Sequence, residues 1–219
     1  NMKHKRTFYY KNINFITYGR DITINDIIKG KSFIRLGDGE FELIKEKNIY
    51  FQKYEKLLKE ILIEILKNKN NNYILGIYFK NNYNKRWNGY NDIIINYIKK
   101  DIIYCHDPLI FRYSKSNPDL FLNFFKYFKN KNSIIVHNNK NGFDFIFKLC
   151  KNINFIKCKN KNCFDEYKNI LNQISKNNNN NNIILLSCGP TAKLLAYKLI
   201  ELSYQVIDIG AGYKSLNYL

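Results

Sequence analysis

The chain has 219 residues, with 36 Lys+Arg against 18 Asp+Glu and a formal charge of +18 at pH 7. Its 45% hydrophobic and 16% aromatic content excludes a wholly disordered chain, and 3 Pro with 10 Gly exclude collagen-like and Pro-rich linker classes. The length fits one domain with a sizeable core, and the charge makes a nucleic-acid partner the first reading to weigh.

The basic excess is mostly Lys. Only Arg6, Arg20, Arg35, Arg86 and Arg112 are Arg, leaving 36 − 5 = 31 Lys. Nucleic-acid readers rely on the planar, bidentate Arg fork, and here the Lys are scattered rather than gathered into one arm. Lys, Asn and Ile are what an AT-rich genome writes by default, so a solvated surface explains most of the charge. The five Cys (Cys105, Cys150, Cys158, Cys163, Cys188) are odd in number and irregularly spaced, which favours reduced thiols in a cytoplasmic protein over a disulfide scaffold. Met2 reads as the natural start, no signal peptide follows it, and no stretch reaches the ~18 apolar residues of a membrane span.

In chain order, residues 1–20 read as an N-terminal extension or an edge strand. Short β-branched runs predict strands at Ser32–Leu36, Tyr73–Tyr78, Ile102–Cys105, Ser133–His137, Ile153–Lys157, Asn182–Ser187 and Gln205–Ile209. Apolar residues at i, i+3, i+4 and i+7 predict helices at Tyr54–Asn68, Asp119–Lys129, Phe143–Lys151, Asp165–Ser175 and Thr191–Leu202. The Asn177–Asn182 run reads as a surface loop. The alternation predicts an α/β fold: one Rossmann-like domain over residues 1–219, with a mostly parallel sheet flanked by helices. Ligands of such sheets bind where strand ends lead into helices.

Two motifs fall at such places. In SFIRLGDGEFELI (Ser32–Ile44) a strand meets Gly37-Asp38-Gly39-Glu40 and then an amphipathic stretch. Asp38 and Glu40 could share a hard cation such as Mg²⁺ or Mn²⁺ with water and phosphate oxygens, and Arg35 could hold a phosphate; capping of the next helix by the same carboxylates is equally consistent. In the second motif, a buried strand ends at Ser187-Cys188-Gly189-Pro190-Thr191 and a helix starts at once. Pro suits the first helical turn, and free N–H groups at a helix start bind anions, so Ser187, Gly189 and Thr191 could line a diphosphate. The following strand delivers Asp208 and Gly210-Ala211-Gly212. Gly30-Lys31-Ser32 lacks the P-loop context, and Gly210-x-Gly212 lacks the third glycine of a dinucleotide fingerprint.

Taken together these motifs resemble the GT-D glycosyltransferases, metal-dependent sugar-nucleotide transferases with an Asp-x-Glu motif, onto which Asp38-Gly39-Glu40 falls. IYFQKYEKLLKEIL, IFRYSKSN, SIIVHN, NCFDEYKNIL, CGPTAKLLAYKL and YQVIDIG follow in the family's order, from about Ser32 to Gly210. The departure is Ala211, where better-known members carry His after Asp-Ile-Gly. The resemblance implies transfer of a hexose or N-acetylhexosamine from a UDP-type donor to a sugar hydroxyl of a glycan acceptor. It implies Asp38 and Glu40 as ligands of Mn²⁺ or Mg²⁺, and Arg35, Gly37, Gly39, Ser187, Gly189, Pro190, Thr191, Gly210 and Arg112 as donor contacts. Asp208 is the expected base, with His106 or Asp107 behind it and Lys115 as a further contact. Specific nucleic-acid binding is not expected, and a homodimer is compatible with the reading. The competing readings are a basic nucleic-acid-binding module and a catalytically silent sugar-nucleotide binder.

Overall fold

A computed structural model describes residues 5–67, 73–77, 85–112, 118–150, 152–177 and 182–216. Lys115, Tyr78, Asn68, Lys151, residues 178–181 of the Asn run and the first four residues therefore lie outside the described residues.

The strands are β1 (Arg6–Tyr10), β2 (Ile13–Tyr18), β3 (Ser32–Leu36), β4 (Tyr73–Ile77), β5 (Ile102–His106), β6 (Asn132–His137), β7 (Asn152–Lys157), β8 (Ile183–Ser187) and β9 (Gln205–Asp208). They form a nine-stranded sheet in the order β1-β2-β5-β4-β3-β9-β8-β6-β7. β1 and β2 pair antiparallel, and every other neighbouring pair is parallel. The helices are α1 (Arg20–Ile28), α2 (Asp38–Ile44), α3 (Lys56–Lys67), α4 (Lys85–Ile98), α5 (Pro118–Phe128), α6 (Asp144–Leu149), α7 (Tyr167–Lys176), α8 (Thr191–Glu201) and α9 (Tyr213–Leu216). The fold is a single α/β domain with a mostly parallel sheet flanked by helices, as the alternation predicts.

Period-two alternation sorts the central strands onto two cores. Ile34 and Leu36, Ile134 and Val136, Ile184 and Leu186, and Val206 pack on one face with α2, α3, α4, α7 and α8. Phe33, Ile135, Ile183 and Leu185, and Ile207 pack on the other with α1, α5 and α6. α3 buries Leu58, Leu62, Ile65 and Leu66, and α5 buries Phe121, Phe124, Phe125 and Phe128, each a stripe at i, i+3/i+4 and i+7/i+8. Full burial of each such side chain is worth about 1.5–3 kcal/mol.

The sequence reading names no helix at α1, α4 or α9, and its edge-strand alternative for residues 1–20 is one strand where the structure has two, β1 and β2. Residues 6–18 form a hairpin on the sheet edge, turning through Lys11 and Asn12 at φ 45° and 63°. The helix predicted from Asp165 starts as a 3-10 turn at Cys163–Glu166, and α7 proper begins at Tyr167.

The order of the strands fixes where a ligand can go. From β3 the chain winds outward through β4 and β5; β8 and β9 return to the middle from the other side. β3 and β9 are therefore neighbours whose exit loops diverge, which opens a crevice at their carboxyl ends.

Candidate active site

That crevice is a cleft of about 380 Å³. Its walls come from the ends of β3, β6, β8 and β9, the turn before α7 and the 49–51 segment. They include Arg35, Gly37, Asp38, Gly39, Glu40, Arg112, Ser187, Gly189, Pro190 and Gly210 from the sequence candidates. Five basic side chains (Arg35, Arg112, Lys159, Lys193, Lys214) face two carboxylates (Asp38, Glu40), so the cleft suits an anion.

Gly37 is the N-cap of α2, and its N–H donates to Glu40 Oε2 at 2.8 Å. Glu40 thus closes the first turn in capping-box fashion. Its other oxygen, Oε1, lies 3.0 Å from Lys193 Nζ. The same ammonium lies 3.0 Å from Asp208 Oδ2, an ion pair outside good hydrogen-bond geometry. All three side chains are buried, Asp208 fully. Burial alone would push Glu40 up; Lys193, Arg35 and the Gly37 N–H outweigh it and hold the carboxyl below its ordinary value. Burial alone would pull Lys193 down; Asp208 and Glu40 outweigh it and raise the ammonium. Lys193 escapes the sequence reading because a Lys in an amphipathic helix ordinarily reads as solvated.

Two expected roles change with this geometry. Asp208 is fully buried behind the cleft lining, where Oδ1 accepts the Gly210 N–H at 3.0 Å and Oδ2 faces Lys193. Thr191 is fully buried and donates from Oγ1 to Gln52 Oε1 at 3.4 Å, tying α8 to the 49–52 turn rather than lining a diphosphate. The second-choice bases lie elsewhere. His106 contacts Thr23 Oγ1 through Nδ1 at 2.9 Å, and burial pulls its pKa down to about 4. Asp107 Oδ1 accepts the Leu109 N–H at 2.8 Å as a turn cap.

Two glycines are required by conformation. Gly189 has φ +62° with open space where a Cβ would go, so only its left-handed backbone demands glycine. Gly210 has φ +49°, and a Cβ there would collide with the Arg35 guanidinium, which lies flat against it. Ser187 Oγ donates to Gly210 O at 2.7 Å and locks this contact. Arg35 Nε is buried without a hydrogen-bond partner.

His137, at the end of β6, also lines the cleft and was not singled out from sequence. Its Nδ1 lies 2.5 Å from Ser187 O. A carbonyl only accepts, so Nδ1 carries the proton and Nε2 the lone pair. Burial lowers the ring's pKa, outweighing the Ser187 hydrogen bond, and Lys214 adds to the fall. Tyr213 packs on the ring at 4.5 Å between centroids. The one signal in the sequence was its position at a strand end.

An α/β sheet with a basic crevice at its switch point, walled by two strand-to-helix turns, is an arrangement suited to an anionic ligand. The family model described as "Glycosyltransferase GT-D fold" matches residues 33–218, and the chain belongs to that family. It is a glycosyltransferase. Among solved structures it is similar to a glycosyltransferase (DUF1792) from Streptococcus sanguinis, with a TM-score of 0.81 and 18% identity over 92% of this chain and 83% of that one. It is also similar to a domain of unknown function 1792 described as having a distinct glycosyltransferase fold, with a TM-score of 0.74 and 24% identity over 94% and 82%. No curated protein matches. Among the described residues, no helix is long and apolar enough to cross a membrane.

Proposed function

We propose that the cleft binds a nucleotide sugar of the UDP type and transfers its hexose or N-acetylhexosamine to a sugar hydroxyl of a glycan. The observation that carries this reading is the meeting of Arg35, Gly189-Pro190 and Gly210 in one basic cleft beside Asp38. Fixed donors there stabilise the negative charge that grows on the leaving diphosphate. Arg35 and the start of α8 supply that potential without reorganising.

Asp38 is exposed on the cleft, and the Glu40 oxygens meet the Gly37 N–H and the Lys193 ammonium. Among the described residues no group of three or more His, Cys, Asp and Glu side chains is placed to hold a metal. The donor set fits a hard cation held through the Asp38 carboxylate and completed by phosphate oxygens and water, as Mg²⁺ commonly is. Bound there, Mn²⁺ or Mg²⁺ supplies Lewis-acid neutralisation of the diphosphate. Glu40 acts one step removed, holding the turn that carries Asp38.

His137 takes the place of Asp208 as base: Nε2 of the neutral ring accepts the acceptor hydroxyl proton while Ser187 O orients the ring. The acid limb of kcat/KM then lies below pH 6.5, the ordinary value from which burial lowers this ring, and His137→Gln abolishes transfer without loss of UDP binding. An unchanged pH profile in His137→Gln would remove the residue from the reaction.

The test is thermal stabilisation by UDP-, GDP- and dTDP-sugars with Mn²⁺ or with EDTA. Stabilisation by a UDP-sugar is expected, strengthened by Mn²⁺. Asp38→Ala should cost less than about 0.5 kcal/mol of stability yet abolish the Mn²⁺ increment and turnover. Full turnover of Asp38→Ala in EDTA would overturn the cation's role.

A further inference from the structure

The transfer reaction uses none of the five thiols, yet three of them are gathered in one place. Cys158 follows β7, Cys163 opens the 3-10 turn before α7, and Cys188 follows β8. All three are buried in the same core. Lys157 and Ser187 both pair with His137, so Cys158 and Cys188 leave the sheet on either side of the end of β6, and the side chains of Cys158, Cys163 and Cys188 interact with one another there. Cys163 and Cys188 line the cleft, so the cluster has a path to solvent. Cys105 and Cys150 lie elsewhere: Cys105 bonds to Thr17 and Ile16, and Cys150 to Ser133 and Phe128.

We propose that these thiols are a reversible oxidation site in the wall of the cleft, in which Cys158 and Cys163 form a disulfide on exposure to a hydroperoxide. Topology excludes one pair. β7 and β8 both border β6, so the backbones that deliver Cys158 and Cys188 are two strand spacings apart, about 9.6 Å. That exceeds the ~7 Å a disulfide spans. Cys163 lies on the segment that folds back after β7, separated from Cys158 by four residues and by no strand. Hydrogen bonds from Cys163 and Cys188 hold the Cys158 thiol below its ordinary value, which favours Cys158 as the attacking sulfur.

The chemistry balances. The Cys158 thiolate attacks one peroxide oxygen, the O–O bond breaks, and the departing hydroxide takes a proton to leave as water. Cys163 Sγ then attacks the sulfenic sulfur, the S–O bond breaks, and a second water leaves with the Cys163 proton. Two thiols lose two electrons, and one peroxide becomes two waters. The bond tethers residues 159–162, which place Lys159 and Asn160 in the cleft wall. Asn162 accepts the Lys53 N–H at 2.9 Å and donates to Phe51 O at 2.8 Å, so the tether also reaches the 49–53 segment.

The site is tested on the full chain with hydrogen peroxide, read by intact mass and peptide mapping. The expected result is loss of two hydrogen masses, alkylatable thiols falling from five to three, a Cys158–Cys163 cross-link, and reversal by dithiothreitol. Cys163→Ser should lose the cross-link, while Cys105→Ser keeps it. Should Cys163→Ser fail to fold, the wild-type map decides alone. Oxygen addition without a cross-link, a cross-link at other cysteines, or stoichiometric zinc in the purified protein would each overturn the proposal. A separate arm adds UDP, which should slow cross-linking several-fold by filling the cleft. This arm alone rests on the donor reading: a cross-link that forms equally fast with saturating UDP counts against UDP in the cleft and leaves the thiol site standing.

Discussion

Lys193 carries a charge to a buried position in the cleft wall, and Glu40 and Asp208 make that tolerable. Removing one member of a buried charge cluster strands the rest, at a cost of about 3–5 kcal/mol. Lys193→Met is therefore expected to lower the unfolding free energy by that amount in urea, far more than the loss of an exposed Lys such as Lys47. The cluster also sets a pH window. Glu40 sits below 4.5 in the native state, so its contribution is whole above pH 4.5 and is lost as the pH falls through the native value. Lys193 sits above 10.5, so its contribution is whole below pH 10.5 and is lost beyond the native value. A plot of Tm against pH should fall on the acid side, and Glu40→Gln should flatten that fall while lowering the plateau. An acid limb unchanged in Glu40→Gln would show that the pair does not govern acid stability. Arg35 and Asp38 were legible in the sequence because they flank glycines at a strand end. Lys193 and His137 were not, because their meaning comes from Glu40, Asp208 and Ser187 O, brought to them only by the fold.

Among the elements, the two strand-to-helix turns are stiff for different reasons. The turn before α2 is tied by a side chain, Glu40, and the turn before α8 by backbone shape at Gly189 and by Thr191 anchored to Gln52. The Gly210 turn depends on a missing Cβ, so Gly210→Ala should displace Arg35 and abolish nucleotide-dependent stabilisation while leaving the secondary structure intact by circular dichroism. Retained stabilisation in that variant would separate Arg35 from donor binding. Elements with undiluted apolar periodicity, such as α3, α5 and β8, could be read directly from the sequence. α1 (RDITINDII) and α4 (KRWNGYNDIIINYI) could not: Asn, Asp and Thr interrupt the stripe, and packing rather than propensity decides them. The β1–β2 hairpin was hidden by Tyr, Asn and Thr along half-exposed strands.

At the scale of the whole molecule, the charge of +18 is spread along the chain rather than gathered into one basic arm. Its useful fraction is the group of basic side chains around the cleft, and the rest adds a diffuse field that steers anions. KM for a nucleotide sugar should rise with ionic strength between low and ~150 mM salt, where screening sets in over about 8–10 Å, while kcat stays constant. A KM indifferent to salt would reduce the surface charge to background.

The central position of β9 bears on how the molecule comes into being. Among the described strands, residues 205–208 come last in chain order, yet they pair with β3 on one side and β8 on the other. Until they arrive, the protein is two half-sheets with facing, unpaired edges, and apolar strand edges left open are templates for pairing with other chains. The wall that carries Arg35 and Asp38 then has no opposing Gly210, so the cleft exists only once the sheet is closed. A ribosome-bound chain halted before Gln205 should thus be aggregation-prone and unable to retain nucleotide, and one extended past Leu216 competent in both respects. Catalytic competence in this fold is thereby coupled to the closing of its sheet.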